Sequence, residues 1–140
     1  MGIFTNLFAP KVQEKPSGKK EIALLTGGLR FDLEVAGVEQ YQRALEVIGG
    51  PRVARGINRF ETAQLILEDR NPRDPNTVRV LIRGKQVGCL HPEDAIRYRH
   101  HLAVKGTPNA DGQCQAAVRG GWISSDGRTG DYEVWLDLTL

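Results

Sequence analysis

A short polar stretch near the middle of the chain carries the residues best able to contact a ligand. Two prolines and two asparagines lie there among charged residues, which prevents a regular element and favours local turns. Arginine side chains suit two-point contacts with phosphate groups. Because charged loops between strands often hold binding residues, we expect function here first. The stretch reads Asp69-Arg70-Asn71-Pro72-Arg73-Asp74-Pro75-Asn76.

The same residue types also have a purely structural explanation. Asparagine and aspartate side chains accept hydrogen bonds from nearby backbone N–H groups and so stabilise turns. Asn71, Asp74 and Asn76 are therefore consistent with a binding site, and equally with a loop that only satisfies its own backbone. The sequence leaves both interpretations open.

Cysteines and histidines raise the question of a metal site. Cys89 and His91 are two residues apart, and His100, His101 and Cys114 follow. No four-ligand spacing typical of zinc connects them. We interpret Cys89 and Cys114 as reduced, buried thiols and His91 as a helix-cap residue. The sequence predicts neither a metal nor a cofactor.

Motifs of common enzyme classes are missing from the sequence. It contains no nucleophile elbow, no Walker loop, no HExxH motif and no pair of CxxC motifs. Acidic residues in turns or in the first turn of a helix have a sufficient structural reason. We therefore predict that the protein is not an enzyme. The acidic residues in question are Asp69, Asp74, Glu93 and Asp94.

Strands on both sides must position the polar stretch. Residues 61–68 alternate apolar and polar side chains, and residues 78–83 do the same. This two-residue period is typical of half-buried strands. Gly84 then permits a tight reversal into a third strand at residues 85–90.

The rest of the chain adds more strands and two helices. Strands are predicted at residues 21–25, 31–37, 113–123 and 131–140, with helices at residues 38–48 and from Pro92 onward. Strands outnumber helices and do not alternate with them. This pattern predicts a mostly β fold, a small antiparallel barrel with one or two flanking helices.

Length and composition limit the organisation of the chain. The sequence has 140 residues, 40% hydrophobic and 26% charged, with a net charge of +2. This suits a single domain, which we place at residues 21–140, and the charge argues neither for nor against a polyanionic partner. Residues 1–20 are interpreted as an apolar tip followed by a flexible linker.

The apolar tip has two possible roles. Ile3, Phe4, Leu7 and Phe8 would share one side of a short helix. Such a tip could dock a protein partner, or fold back on the domain as a start segment. It is too short to span a membrane and lacks the pattern of a signal peptide, so we expect no membrane span and a cytoplasmic location.

The central motifs resemble the HIRAN domain, which is found in some DNA-remodelling proteins and as small stand-alone bacterial proteins. The resemblance covers residues 31–104 and implies an OB-like barrel. It also implies a binding site for single-stranded DNA or its 3′ end. The residues that carry it are Asn71-Pro72-x-Asp74-x-Asn76, Val78-x-Val80, Gly84-Lys85-Gln86-Val87-Gly88 and Leu90, with Val35-Ala36-Gly37 and Tyr41-Gln42-x-Ala44-Leu45 upstream.

By this resemblance, Asp74 meets the terminal sugar hydroxyl, Asn71 is the turn asparagine, and Tyr41 lies at or beside an aromatic position. The chain also departs from the end-binding members. Arg73 replaces an aromatic residue, and Gln40 and Glu39 replace an aromatic and a basic residue; Cys89 replaces a histidine. Arg73 can compensate by stacking on a base or binding a phosphate.

Two hypotheses follow. The first is a non-enzymatic module that binds DNA; the second is a protein-interaction or scaffold module built on the same barrel. A basic groove joining Arg70, Arg73, Arg97 and Arg99 would favour the first. An exposed apolar strip joined to the amino terminus would favour the second. The predicted nucleic-acid-binding residues are Gln40, Tyr41, Arg70, Asn71, Arg73, Asp74, His91 and Arg97.

Overall fold

Seven strands and two α-helices make up the part of the chain that the structure describes. The structure is a computed structural model describing residues 22–140, so the expected tip and linker at residues 1–20 lie outside the described residues. The elements are β1 (Ile22–Leu24), β2 (Leu33–Ala36), α1 (Gln42–Gly49), β3 (Ile57–Leu67), β4 (Val78–Ile82), β5 (Lys85–Leu90), α2 (Pro92–Val104), β6 (Asp111–Gly120) and β7 (Tyr132–Asp137).

Six of the strands close into an antiparallel barrel. Hydrogen bonds join them in the order β6-β3-β4-β5-β2-β7, and β7 pairs again with β6. The first strand, β1, lies outside this ring and pairs with β6 in parallel. The prediction of a small, mostly β, OB-like barrel with flanking helices is confirmed.

The barrel interior follows the alternation read from the sequence. Ala63, Leu65 and Leu67 point inward from β3, and Val78, Val80 and Ile82 from β4. Each of these side chains is buried, and burying one such aliphatic side chain stabilises the fold by roughly 1.5–3 kcal/mol. Leu45 and Ile48 from α1, with Ala95, Tyr98 and Leu102 from α2, join the same core.

A two-residue turn links β4 and β5, as Gly84 predicted. Ile82 pairs with Lys85, and both residues between them have positive φ, 53° at Arg83 and 76° at Gly84. Such primed turns match the twist of hairpin strands. This turn and a register shift between Val80 and Leu81 together set the position of Cys89 beside Arg79.

The helix predicted at residues 38–48 is interrupted, which corrects the sequence interpretation. Val38–Gln40 form one 3₁₀ turn, and α1 begins only after Tyr41, whose φ and ψ are −125° and 25°. The side chain of Gln42 donates to the carbonyls of Val38 (2.9 Å) and Tyr132 (3.0 Å). Its Oε1 also accepts from the Tyr132 N–H (2.8 Å). These bonds tie the start of α1 to β7.

Other predicted boundaries shift by a few residues. The strand expected at residues 113–123 ends at Gly120 because Gly120 and Gly121 both have positive φ, 79° and 62°. The strand expected to begin at residue 61 starts at Ile57. Neither helix within residues 22–140 combines the length and the apolar composition needed to cross a membrane.

Candidate nucleic-acid interface

The loop at residues 68–77 is closed by its own side chains. Asn71 Oδ1 accepts hydrogen bonds from the N–H groups of Arg73 (2.9 Å) and Asp74 (3.3 Å). Asp74 Oδ1 accepts from the N–H of Asn76 (2.9 Å). These are the side-chain turns that the sequence predicted as the structural role of Asn71 and Asp74. They give the loop a defined shape without any ligand.

A single side chain from α2 holds the base of this loop. Arg99 Nη1 lies 2.7 Å from Asp69 Oδ1, and its other nitrogens donate to the carbonyls of Asn76 (2.9 Å) and Thr77 (3.0 Å). The Arg99 side chain is only 19% exposed. A guanidinium suits such a site because its planar fork makes several directed bonds at once. The sequence suggested Arg99 only as a member of a basic groove and gave no signal for this internal role.

Two guanidinium groups remain available on the loop. Arg70 and Arg73 are exposed, and within residues 22–140 neither has a carboxylate at salt-bridge distance. Asp74 is half-buried, and only its Oδ1 is engaged by hydrogen bonds from the described residues. The loop therefore presents two free cations beside one carboxylate oxygen that can still accept a hydrogen bond.

The turn that carries Gln40 and Tyr41 lies on the same side of the barrel. Ala36 and Arg79 both pair with Cys89. Burial raises the pKa of the Cys89 thiol, and the charges of Glu68 and then Glu39 raise it further. Glu68 begins the loop and Glu39 belongs to the 3₁₀ turn, so both elements face the same thiol. Gln40 is exposed and Tyr41 half-buried beside them.

Cys89 itself differs from expectation. We predicted a buried thiol, but it is only partly buried, whereas Cys114 is buried as expected; both are free. Cys89 lies between the buried residues Gly88 and Leu90 of β5, so strand alternation turns its side chain away from the interior. Within residues 22–140, no group of three or more His, Cys, Asp or Glu side chains could hold a metal ion.

Arg97 lies away from the loop, whereas His91 directly follows β5 at the end that lies beside the start of β4. His91 precedes α2, as expected of a cap residue, but its side chain makes no capping bond; Nε2 is 3.9 Å from Glu34 Oε1. Arg97 donates to Asp94 Oδ1 (3.2 Å) and to the carbonyl of Leu140 (3.4 Å). Arg97 and Arg99 are about 200° apart around the helix. The expected groove of four arginines is therefore not assembled.

Arg79 is a further basic residue that the sequence did not single out. It lies on the outer face of β4, beside Cys89 on β5 and Ile66 on β3. Its Nε is buried and has no hydrogen-bond partner among the described residues, while Nη1 lies 3.5 Å from Gln86 Oε1. Its strand position gave only an alternating pattern, so nothing in the sequence distinguished it.

No family model, curated protein or solved structure matches the chain. The HIRAN resemblance therefore stays a prediction from the motifs in the sequence.

Proposed function

We propose that the protein is a non-enzymatic module that binds single-stranded DNA, with a preference for a 3′ end, at the 68–77 loop. Its partner is the nucleic acid, and it needs no metal or cofactor. Both cysteines are free, which supports a reducing compartment and a cytoplasmic location. The HIRAN resemblance supports the same ligand.

The observation that carries the proposal is that some residues hold the loop in shape whereas others remain exposed. Asn71, Arg99 and one oxygen of Asp74 hold the loop in shape. Arg70 and Arg73 are left exposed, without an ionic partner among residues 22–140. A pre-shaped loop that carries unpaired guanidinium groups favours phosphate binding because little backbone freedom is lost on association.

The charges around the loop determine the side on which a phosphate is favoured. The charges of Glu39 and Glu68 both raise the pKa of the Cys89 thiol, so they add negative potential at that thiol. A phosphate is disfavoured there and favoured on the Arg70–Arg73 side of the loop. The free oxygen of Asp74 is then placed to accept a hydrogen bond from a terminal 3′-hydroxyl, the contact that the resemblance implies.

Fluorescence anisotropy with a labelled oligonucleotide tests this proposal. We expect the 3′-hydroxyl form to bind more tightly than the 3′-phosphate form, and the affinity to fall as salt rises. Arg73→Ala should weaken binding and reduce the salt slope by about 1. Asp74→Asn keeps the Oδ1 acceptor for Asn76 but removes the charge, so it should reduce the 3′-hydroxyl preference while the fold stays intact.

Arg128→Ala is the matched control, since Arg128 is exposed on another hairpin and pairs only locally with Asp126. It should bind like the parent protein. If Arg73→Ala and Asp74→Asn also bind like the parent, the loop is not the binding site. If the parent binds no oligonucleotide at low salt, the DNA proposal is rejected.

A protein-interaction module is the second candidate, and β1 favours it. Ile22 and Leu24 are 54% and 76% exposed, and they follow directly on residues 1–21. An exposed apolar strip joined to the amino terminus would favour the second hypothesis, and these two side chains support that reading. A photo-reactive amino acid placed at Leu24 should then crosslink a protein in cells, whereas one at the equally exposed Val47 on α1 should not.

A further inference from the structure

A depression on the outer face of the barrel lies at the end of β3 farthest from the 68–77 loop. It has a volume of about 550 Å³ and is lined by Leu29, Phe31, Phe60, Gln115 and Arg119. Phe60 is 61% exposed, whereas Phe31 is 8% exposed and lies beneath it, with ring centroids 5.2 Å apart and planes tilted by 42°. Apolar walls with a few polar groups are typical of a small-molecule site.

The segment that forms one wall of this depression is held in an unfavourable backbone conformation. Leu29 and Phe31 have φ values of 66° and 49°, which bulky L-residues seldom adopt. Between them, the Arg30 N–H donates to Asp137 Oδ1 (3.0 Å). Asp137 is the one buried charged side chain within residues 22–140, 3% exposed. Such conformations persist where surrounding structure enforces them, often at ligand sites, so the wall is preformed.

On β3 and β6, the outer face around the depression carries no carboxylate. Cross-strand pairs there are Phe60 with Ala117, Thr62 with Gln115, and Asn58 with Arg119. Two carboxylates lie on the adjacent strand β7: Asp137, opposite Gln115, is buried and accepts from the Arg30 N–H, and Glu133, opposite Arg119, accepts from Trp135 Nε1 (3.0 Å).

Arg119 itself is placed over this surface. Its Cζ lies 5.9 Å from the centroid of the Trp135 ring, and Nη1 is 3.5 Å from the Phe31 carbonyl. Within residues 22–140 it makes no salt bridge with Glu133 or any other carboxylate. A guanidinium positioned by an aromatic face and a carbonyl keeps donors free for an anion.

We propose that this depression binds a nucleobase of the same single strand whose 3′ end lies at the 68–77 loop. Phe60 supplies the stacking face, the Gln115 amide hydrogen-bonds a base edge, and Arg119 contacts the adjacent phosphate. The inference rests on the proposed function and adds a second contact to it. An apolar peptide would use the Phe60 ring but has no need of an amide and a free guanidinium at its rim.

The spacing of the two contacts fits a single oligonucleotide. Phe60 precedes Leu67, the last residue of β3, by seven positions, so the depression and the loop are about 23 Å apart along the strand. That span is compatible with the roughly 4–16 nucleotides bound per OB fold. A three-nucleotide ligand at the loop would not reach Phe60, whereas a ten-nucleotide ligand would.

Titration of the protein with 3′-hydroxyl oligothymidylates of three and ten nucleotides tests the inference. We expect the ten-nucleotide strand to bind roughly tenfold more tightly, since one base stack is worth about that factor. Phe60→Leu keeps an apolar side chain but loses the aromatic face. It should remove most of that gain and leave the affinity for three nucleotides unchanged, while Phe60→Trp should retain the gain.

Val47→Ala is the control, because Val47 is 68% exposed on α1; it should bind both strands like the parent. As an independent measurement, 5-iodouracil at an internal position should photocrosslink to the peptide containing Phe60, and at the 3′-terminal position should not. Thermal melts of each variant check that the fold is unchanged.

The possible failures are distinguishable. If Phe60→Leu binds ten nucleotides like the parent, or if both lengths bind equally, the nucleobase pocket is rejected while loop binding stands. If Phe60→Leu also weakens binding of the three-nucleotide strand without changing the melting temperature, the idea that the two contacts are separate is rejected. If neither length binds the parent protein, the pocket and the proposed function are both rejected.

Discussion

Arg99 Nη1 and Asp69 Oδ1 lie 2.7 Å apart, joining α2 to the loop between β3 and β4. The same guanidinium donates to two main-chain carbonyls of that loop, at Asn76 and Thr77. Any movement of the loop must therefore break bonds to the helix. The loop that carries the candidate binding residues Arg70 and Arg73 is therefore held in place by a helix outside the loop.

Arg99→Ala should lower the free energy of unfolding by roughly 1–3 kcal/mol. Hydrogen bonds to charged groups contribute about that much; the Asn76 carbonyl loses its partner, whereas the Thr77 carbonyl still accepts from the Glu68 N–H (2.9 Å). Urea denaturation provides the measurement. Arg97→Ala is the matched control, since Arg97 is 59% exposed and surface ion pairs contribute at most about 1 kcal/mol. Equal losses in the two variants would mean that Arg99 does not hold the loop.

Asn71→Ala should weaken the turn at residues 73 and 74, whereas Asn71→Asp should keep this turn and lose only the longer Nδ2 bond to Glu68 Oε1 (3.4 Å). The alanine variant loses the oxygen that accepts from Arg73 and Asp74, and the expected loss is about 1 kcal/mol per neutral hydrogen bond. Aspartate retains an acceptor in the same place. Amide hydrogen exchange at residues 73 and 74 reports the change directly. Unchanged exchange in Asn71→Ala would show that the turn does not depend on this side chain.

Two buried tyrosines should respond in opposite directions to loss of their hydroxyl. Tyr98 Oη is buried and has no hydrogen-bond partner among residues 22–140, and burial is the main reason that its pKa is raised. Tyr132 Oη donates to the Gly50 carbonyl at 2.6 Å. Removing an unpaired buried hydroxyl relieves a desolvation penalty, whereas removing a paired one leaves an acceptor unsatisfied.

Tyr98→Phe should therefore leave stability unchanged or raise it by up to about 1 kcal/mol, and Tyr132→Phe should lower it by about 1 kcal/mol. Thermal unfolding of both variants beside the parent gives the comparison. A clear loss of stability in Tyr98→Phe would mean that the Tyr98 hydroxyl has a partner, such as a buried water.

Stability should fall in strongly alkaline solution because of Cys114. Burial first, and the charge of Asp137 second, raise the pKa of this thiol from 9.0 to about 12. A raised folded-state pKa means that the folded protein holds its proton more tightly than the unfolded chain does. The contribution is complete below pH 9 and is lost as pH rises toward 12, with a slope of up to about 1.4 kcal/mol per pH unit.

Urea denaturation at several pH values between about 8 and 11 measures this slope, because the stability is lost over that range. Cys114→Ala carries no titrating group at the site, so its stability should fall less steeply with pH. If the two slopes agree, other groups such as Tyr98 account for the alkaline loss of stability.

The barrel was predictable because its signals are local. Alternation at Ala63, Leu65 and Leu67 gave the face of β3, and Gly84 gave the turn into β5. The break at Tyr41 was not visible, because it depends on the bonds of Gln42 to Tyr132, 90 positions away. Local periodicity alone favoured one continuous helix there.

The candidate site was only partly predictable for the same physical reason. Turn chemistry of Asn71 and Asp74 could be read from residue types. The separation of Arg97 from Arg99 follows from helical periodicity and could be read from the sequence, whereas the side of α2 that faces the loop depends on how the helix docks against the barrel. The wall at residues 29–31 depends on Asp137, 107 positions from Arg30. Contacts of that range leave no pattern in a single sequence.

The position of β1 has a consequence for local opening. Because this three-residue strand pairs, among residues 22–140, only with β6 and stands outside the closed ring, its detachment leaves all six barrel strands with both neighbours. We expect the amides of Ile22–Leu24 to exchange with solvent through a low-energy fluctuation, long before the barrel amides exchange by global unfolding. The first strand can thus detach while the six-stranded barrel stays closed.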